Sequence, residues 1–358
     1  MKVVQINATC DTGSIGKICK AVSEQLSARE IENYILYSQG YSDYPLGIRY
    51  SNKIKSKLDA IFSRLSGENG FTANQTNNDL LEELDRIKPD IVHIHNLHSH
   101  NCHFKKLFEY LRKNNIKVFY TFHDCWAFTG YCMYFDFVAC NKWQTECNNC
   151  PQKKKFSLLF DKSTKLYNWK KEALACQDLT IITPSKWLAS LVKESFLKDY
   201  PIHVINNGID LEKFKPTNSD FRITYKCEKK FILLGVASGW EKRKGIDTFV
   251  RLANDLSDDF LIVLVGTNAD IDKNLPNNII SIHRTANQTE LAKIYSAADV
   301  LVNPTVEDRL YLSDGPHCQQ CLCQIPHRAG TQGLLRGKLQ GSDPGGVAES
   351  RHVGGAVP

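Results

Sequence analysis

Short apolar runs alternate with longer stretches of helical spacing along most of the chain. Val3-Val-Gln-Ile6, Tyr34–Tyr37, Asp90–His95, Lys117–Phe122, Leu179–Ile182 and His203–Ile205 read as strands. Between them Ile15, Ile18, Cys19, Val22 and Leu26 recur at helical spacing, and 54–65, 78–87, 104–113 and 186–196 read as further helices. The turn Asn206-Asn-Gly-Ile-Asp210, with Pro216 just beyond, interrupts this rhythm. The alternation then restarts with strand 231–236, helix 244–256, strands 260–265 and 279–282, helix 289–297 and strand 300–303. This order predicts an α/β fold of doubly wound parallel sheets that bind ligands at the carboxyl ends of their strands. Two Rossmann-like units in tandem, divided near residues 207–220, would face each other across a cleft.

The stretch Phe231–Gly245 has its own chemistry. A buried strand, a loop with Gly239 and a helix start bring backbone N–H groups and a positive helix end to one point, beside Arg243 and Lys244. The guest this suits is a diphosphate; the plain alternative is a βα turn with solvated basic residues. At the first strand, Asp11-Thr-Gly-Ser-Ile-Gly16 has G-x-x-G spacing and lacks the full G-x-G-x-x-G of a dinucleotide site. It still suits close approach of a ligand to the backbone. His123-Asp124 follows a strand end, where a histidine can bond a substrate hydroxyl or phosphate, or be a buried structural group. His93 and His95 share one strand face, whereas His98, His100 and His103 straddle a loop and a helix start, so no single metal geometry collects them.

Composition narrows the class. The 358 residues suffice for two domains, and no apolar run reaches membrane-spanning length. No signal-peptide pattern follows the first strand, which predicts a cytoplasmic protein. The net charge of +6 suits phosphate-bearing ligands or an anionic membrane surface, and its scatter argues against nucleic acid. Thirteen cysteines in such a protein point to thiols or metal rather than disulfides. Cys132, Cys140, Cys147 and Cys150, the last two spaced C-x2-C, predict tetrahedral thiolate coordination of a structural zinc; free cysteines are the alternative. From Arg309 onward Asn is absent, Lys occurs only at Lys338, and no helical or strand period is evident. A change of reading frame, a foreign tail or a naturally disordered terminus accounts for this.

Read together and in order, these motifs resemble a retaining glycosyltransferase of family 4, with GT-B fold, of the colanic-acid and exopolysaccharide type. The residues that carry the resemblance are the 11–16 loop, Thr121–Gly130, Cys147–Pro151, Thr183–Trp187, Asn206–Asp210, Arg243–Gly245 and Tyr295–Asp308. It implies transfer of a sugar from a nucleotide diphosphate donor to a glycan or lipid-linked acceptor, without a catalytic metal and with peripheral membrane contact. Residues 1–206 would be the acceptor-side domain, with a Cys-rich insertion at 125–151, and 207–308 the donor-nucleotide domain, incomplete and followed by the aberrant tail 309–358. Gly13, Ser14 and Gly16 would approach the donor diphosphate and His123 the transferred sugar. Lys244 and Arg243 would oppose the charge of the leaving diphosphate, and Gly239 would line the donor loop. Arg284 and Thr285 would hold the nucleobase, and Glu307 and Asp308 would stand near the donor sugar.

The sequence departs from the family pattern in two places. Ser238 stands where many members carry a second arginine. Pro316 stands where a carboxylate should bind the ribose, separated from the first acidic residue by seven positions, so turnover is expected to be strongly impaired. An isomerase on the same scaffold, such as a nucleotide-sugar 2-epimerase, and a non-catalytic cysteine-knuckle binding protein are the rival readings.

Overall fold

The apolar run Lys2–Asn7 forms β1 in the interior of a seven-stranded sheet, where Val4 and Ile6 are completely buried. The computed structural model describes residues 1–51, 53–98, 101–305 and 321–324, with the backbone alone for 53–56 and 321–324. After β1 come α1 (Gly13–Ser27), β2 (Glu32–Tyr37), β3 (Gly47–Arg49), α2 (Lys53–Ser66) and α3 (Asn74–Ile87). Then follow β4 (Ile91–Ile94), α4 (Phe104–Lys113), β5 (Lys117–Thr121), α5 (Lys153–Phe156), α6 (Ser163–Leu174), β6 (Leu179–Thr183), α7 (Lys186–Lys193) and β7 (Ile202–Val204). All strand pairs in this sheet are parallel, in the order β3-β2-β1-β4-β5-β6-β7. The order reverses between β1 and β4, and that switch point opens a crevice beyond the strand ends.

A second, five-stranded sheet takes the order β10-β9-β8-β11-β12. Its elements are α8 (Phe221–Thr224), β8 (Phe231–Val236), α9 (Ile246–Asp255), β9 (Phe260–Val265), α10 (Ala269–Asp272), β10 (Ile279–Ile282), α11 (Gln288–Ala297), β11 (Val300–Asn303) and β12 (Cys321–Gln324). Alternate residues of β8 and β9 pack into separate cores on the two faces. Ile232, Leu234 and Val263 meet Ile294 and Ala297 of α11, while Leu233, Ile262 and Leu264 meet Phe249 and Ala253 of α9. Burial on both faces is why these strands are continuous apolar runs.

Some expectations need correction. The helix expected from residue 244 begins at Ile246, because Gly245 turns the chain at φ +79° after a 3-10 turn over Lys242–Lys244. The tail was expected to hold no strand, yet Cys321–Gln324 pairs antiparallel with β11. Sequence periodicity also missed β3, too short to show a period, and α6, whose inward face carries the buried Lys170. Within the second sheet Gly266 has φ +89°, and a Cβ there would lie 1.7 Å from the Ala237 carbonyl oxygen. Gly266→Ala should therefore cost about 3 kcal/mol or more in denaturant unfolding. Gly208→Ala, with no atom in the way of a Cβ, should change stability by less than about 1 kcal/mol.

Candidate active site

The parallel strands of the first sheet deliver β1, β4 and β5 to one edge, and their ends gather four histidines. Gln5 of β1 is buried and fixes the group. Its amide nitrogen donates to the Cys19 carbonyl at 2.9 Å, so its oxygen must accept from His95 Nε2, 3.2 Å away. A neutral His95 then offers Nδ1 as acceptor, and His123 Nε2 donates to it at 3.1 Å. Neutral His123 is thereby left with a lone pair on Nδ1. His93 bonds the Thr121 hydroxyl at 2.8 Å, and its ring lies 4.2 Å from that of His95. His98 Nε2 meets Asp124 Oδ2 at 3.0 Å, and the Trp126 N–H donates to Asp124 Oδ1 at 2.8 Å.

The hydrogen bonds and ring contacts bring His93, His95, His98 and His123 into one cluster, and among the described residues no group of side chains is placed to hold a metal ion. His103 stands apart as the N-cap of α4, and His100 lies outside the described residues. His95, His98, His123, Asp124 and Trp126 line a small recess. Burial, with His123 adding to it, pushes His93 down to about 4. Burial also lowers His123 to about 4, assisted by His98 and opposed by Asp124, and holds His95 well below its usual range. Burial alone would raise Asp124, but His98 and the Trp126 N–H outweigh it and keep the carboxyl below its ordinary value. The recess thus presents the neutral imidazoles of His95 and His123 beside a carboxylate.

Across the switch point, Gly13 opens α1 at φ +69° and is exposed, as is Ser14. Gly16 is buried, and a Cβ there would come within 2.8 Å of the Thr9 hydroxyl, so it seats the loop on the helix rather than facing solvent. Asn7 and Asp11 each hold a buried side-chain oxygen without a partner among the described residues. Such oxygens are acceptors for ligand hydroxyls.

At the second sheet, the turn after β8 is Ala237–Lys244. Gly239 is exposed, and Lys244 is half-buried just before Gly245. A Cβ on Gly245 would press into Pro304 at 2.5 Å, so the K-R-K turn is packed onto the end of β11. The Arg243 guanidinium donates twice to Glu241 Oε1, at 2.8 and 3.0 Å, and lies 4.5 Å over the Tyr134 ring. Tyr134 belongs to the loop after β5, so this contact joins the two strand-end regions. Arg284 is exposed and Thr285 half-buried beyond β10. Glu307 and Asp308 lie outside the described residues.

The family model described as Glycosyltransferase Family 4 matches residues 16–213, more than half of the chain. The chain belongs to Glycosyltransferase Family 4. It is similar to a protein of Escherichia coli K12 provisionally named as a colanic acid biosynthesis glycosyl transferase, WcaC, with 24% identity over 232 residues, 59% of this chain and 55% of that protein. It therefore spans about half the length of this curated relative. Sucrose-phosphate synthase from Thermosynechococcus elongatus has a similar fold, with TM-score 0.56, 16% identity, and 85% of this chain and 75% of that one covered. Anabaena Alr3699/HepE in complex with UDP and glucose gives 0.54 at 11% identity over 85% and 74% of the two chains. A trehalose-6-phosphate protein of E. coli bound with UDP-2-fluoro glucose gives 0.55 at 12% over 86% and 78%. The fold of this family 4 chain is GT-B, with two Rossmann-like units facing across a cleft.

The Cys-rich loop of the family 4 chain is anchored from below by Lys170 of α6. Its buried ammonium donates to the carbonyls of Trp126, Thr129 and Gly130 at 2.7, 3.0 and 3.3 Å and lies 3.5 Å from the Trp126 ring centroid. Burial pushes this lysine well below its usual value, while Cys147, Asp124 and Cys132 pull the other way. Cys132, Cys140, Cys147 and Cys150 line one recess. Cys132 and Cys150 hold their sulfurs 4.0 Å apart. Among the described residues no three such side chains converge closely enough to hold a metal ion as they stand.

Gln5, Asn7, Tyr134 and Lys170 were not anticipated as site residues. Gln5 and Asn7 carried a signal, since each is a polar residue in a strand whose other inner positions are apolar. Tyr134 and Lys170 carried none, because their partners are remote in sequence. The lowered histidines also carry a sign. Unfolded imidazoles titrate near 6.5 and the folded His93 and His123 near 4, so the unfolded chain binds more protons between those values. Stability is fully present above pH ~6.5 and falls as the pH drops towards ~4. A series of melting curves should show this slope, and His93→Gln should flatten it by about one proton; an unchanged slope contradicts the cluster's titration.

Proposed function

We propose that this family 4 chain transfers a sugar from a nucleotide diphosphate donor to a glycan or lipid-linked acceptor, with retention, in surface polysaccharide assembly at the cytoplasmic face of the cell membrane. The approach of Arg243 to Tyr134 carries this reading, because it sets a cationic turn of residues 207–308 beside the loop of residues 1–206 that bears His123 and Asp124. Lys244 opposes the charge that grows on the departing diphosphate, an interaction strongest in the transition state. Arg243, over Tyr134, adds positive charge beside it. The Nδ1 lone pair of His123 accepts a hydroxyl of the transferred sugar, and Asn7 and Asp11 accept others. The exposed backbone at Gly13, Ser14 and Gly239 admits the phosphates, and Arg284 and Thr285 hold the base.

The leaving phosphate oxygen can itself take the acceptor's proton on the face it departs from, so this chemistry requires neither an enzymic base nor a catalytic metal. That HepE is described with UDP and glucose makes UDP the natural probe. UDP titrated calorimetrically should bind, and Lys244→Ala should weaken it about tenfold or more, about 1.4 kcal/mol. Equal affinity for both proteins would remove Lys244 from the diphosphate site. Turnover of the donor should be strongly impaired, because Pro316, which lies outside the described residues, stands in the sequence where the family pattern has a ribose-binding carboxylate; rates on the order of 1 per second or faster would refute that.

A structural zinc held by Cys132, Cys140, Cys147 and Cys150 belongs to the same reading. The 4.0 Å between two sulfurs is close to the ~3.8 Å edge of a zinc tetrathiolate with Zn–S bonds of about 2.3 Å. The Gly130 N–H donates to Cys147 Sγ at 3.2 Å and the Gln152 amide to Cys132 Sγ at 3.3 Å, the outer bonds that steady thiolate ligands. Elemental analysis of protein purified without chelator should find one zinc per chain; a content near zero sinks the assignment.

A further inference from the structure

Helix α2 is amphipathic with its polar side inward. Asp59 and Ser63 are buried, and Asp59 accepts from the Thr76 hydroxyl at 2.9 Å. Leu58, Ile61, Phe62 and Leu65, spaced as one stripe, are 45–61% exposed. Beside this stripe Leu158, Leu159 and Phe160 are 54–60% exposed. The two segments form one surface, because the Leu158 N–H donates to the Arg64 carbonyl at 3.1 Å and the Arg64 guanidinium to the Lys155 carbonyl at 3.0 Å. Nothing among the described residues covers it, and so large an apolar patch is not the ordinary scatter of a surface.

The charge around it is basic. The run Lys153-Lys-Lys155 immediately precedes the apolar loop, with Lys155 over the Phe137 ring at 4.5 Å and Lys162 over the Phe160 ring at 5.3 Å. The nearby carboxylates are engaged: Glu68 by Lys165 at 2.7 Å, and Asp161 by the backbone N–H groups of Cys150 and Ser163. A stripe of Leu, Ile and Phe edged by lysines matches an interfacial membrane element, with apolar side chains among acyl chains and ammonium groups on anionic headgroups.

We infer that α2 and the 158–160 loop form a docking surface for an anionic lipid bilayer. No helix of the described residues is long and apolar enough to cross a membrane, so the contact lies in the interface plane. The surface adjoins the histidine recess: the loop after α2 carries Gly70, whose added Cβ would lie 2.6 Å from the Trp126 ring, and Trp126 lines the recess. A docked chain holds that recess near the headgroups, where a lipid-linked acceptor displays its sugar. This purpose rests on the acceptor named in the proposed function; the binding test does not.

The test is flotation of the full chain with vesicles of phosphatidylglycerol and phosphatidylcholine, and with phosphatidylcholine alone. The chain should float with the anionic vesicles only, and less at about 0.5 M salt. Ile61→Glu with Phe62→Glu, and separately Leu159→Glu with Phe160→Glu, should each weaken binding about tenfold or more while UDP affinity stays unchanged. Failure to bind anionic vesicles, equal binding to neutral ones, or full binding by both variants overturns the inference. So does a dimer, seen by light scattering, that the same variants abolish, since the stripe would then belong to a second copy. Because UDP binding is read separately, loss of the transferase reading and loss of the membrane reading give different results.

Discussion

A buried primary amide orders the first domain's chemistry. Gln5 sits in an interior strand where no water can reorient it, and the Cys19 carbonyl decides which way its amide faces. That choice propagates through His95 to His123, because each neutral imidazole can donate from one nitrogen only. A leucine at position 5 would preserve the strand and leave the tautomers of both rings unspecified. Core and site are therefore one object here: the same side chain satisfies β1 and sets the hydrogen-bonding sense of the recess.

The second domain reaches a similar end by steric means. Its strand-end loops are pressed together so closely that Gly245 meets Pro304 and Gly266 meets the Ala237 carbonyl, with no room for a side chain at either place. The cationic turn is thus held by close packing against Pro304 as well as by its own ion pair. Arg243 remains committed to Glu241 and Tyr134, which couples the turn to the loop beyond β5.

Legibility followed burial. The strands 231–236 and 260–265 were readable to the residue because both of their faces are covered and their side chains are uniformly apolar. Strand β3 exists only through pairing with β2, and α6 was hidden by a lysine on its core face. The period of α2 was visible while its orientation was not, since period alone does not say which face goes inward. The positions of His123 and Lys244 could be read from strand-end logic and motif. The partners that set their states could not, because Gln5 and His95 lie ninety positions apart and meet only in the folded sheet.

Lys170 has an evolutionary consequence. Its ammonium meets three carbonyls that converge from one turn, an arrangement suited to a compact head with donors in a pyramid. The planar fork of arginine holds its donors in one plane and is not shaped to address all three at once. Lysine-to-arginine exchange, among the mildest changes on a surface, should be among the rarest at this position in any lineage that keeps the cysteine loop. A position scored as merely basic would hide that constraint, which belongs to shape as much as to charge.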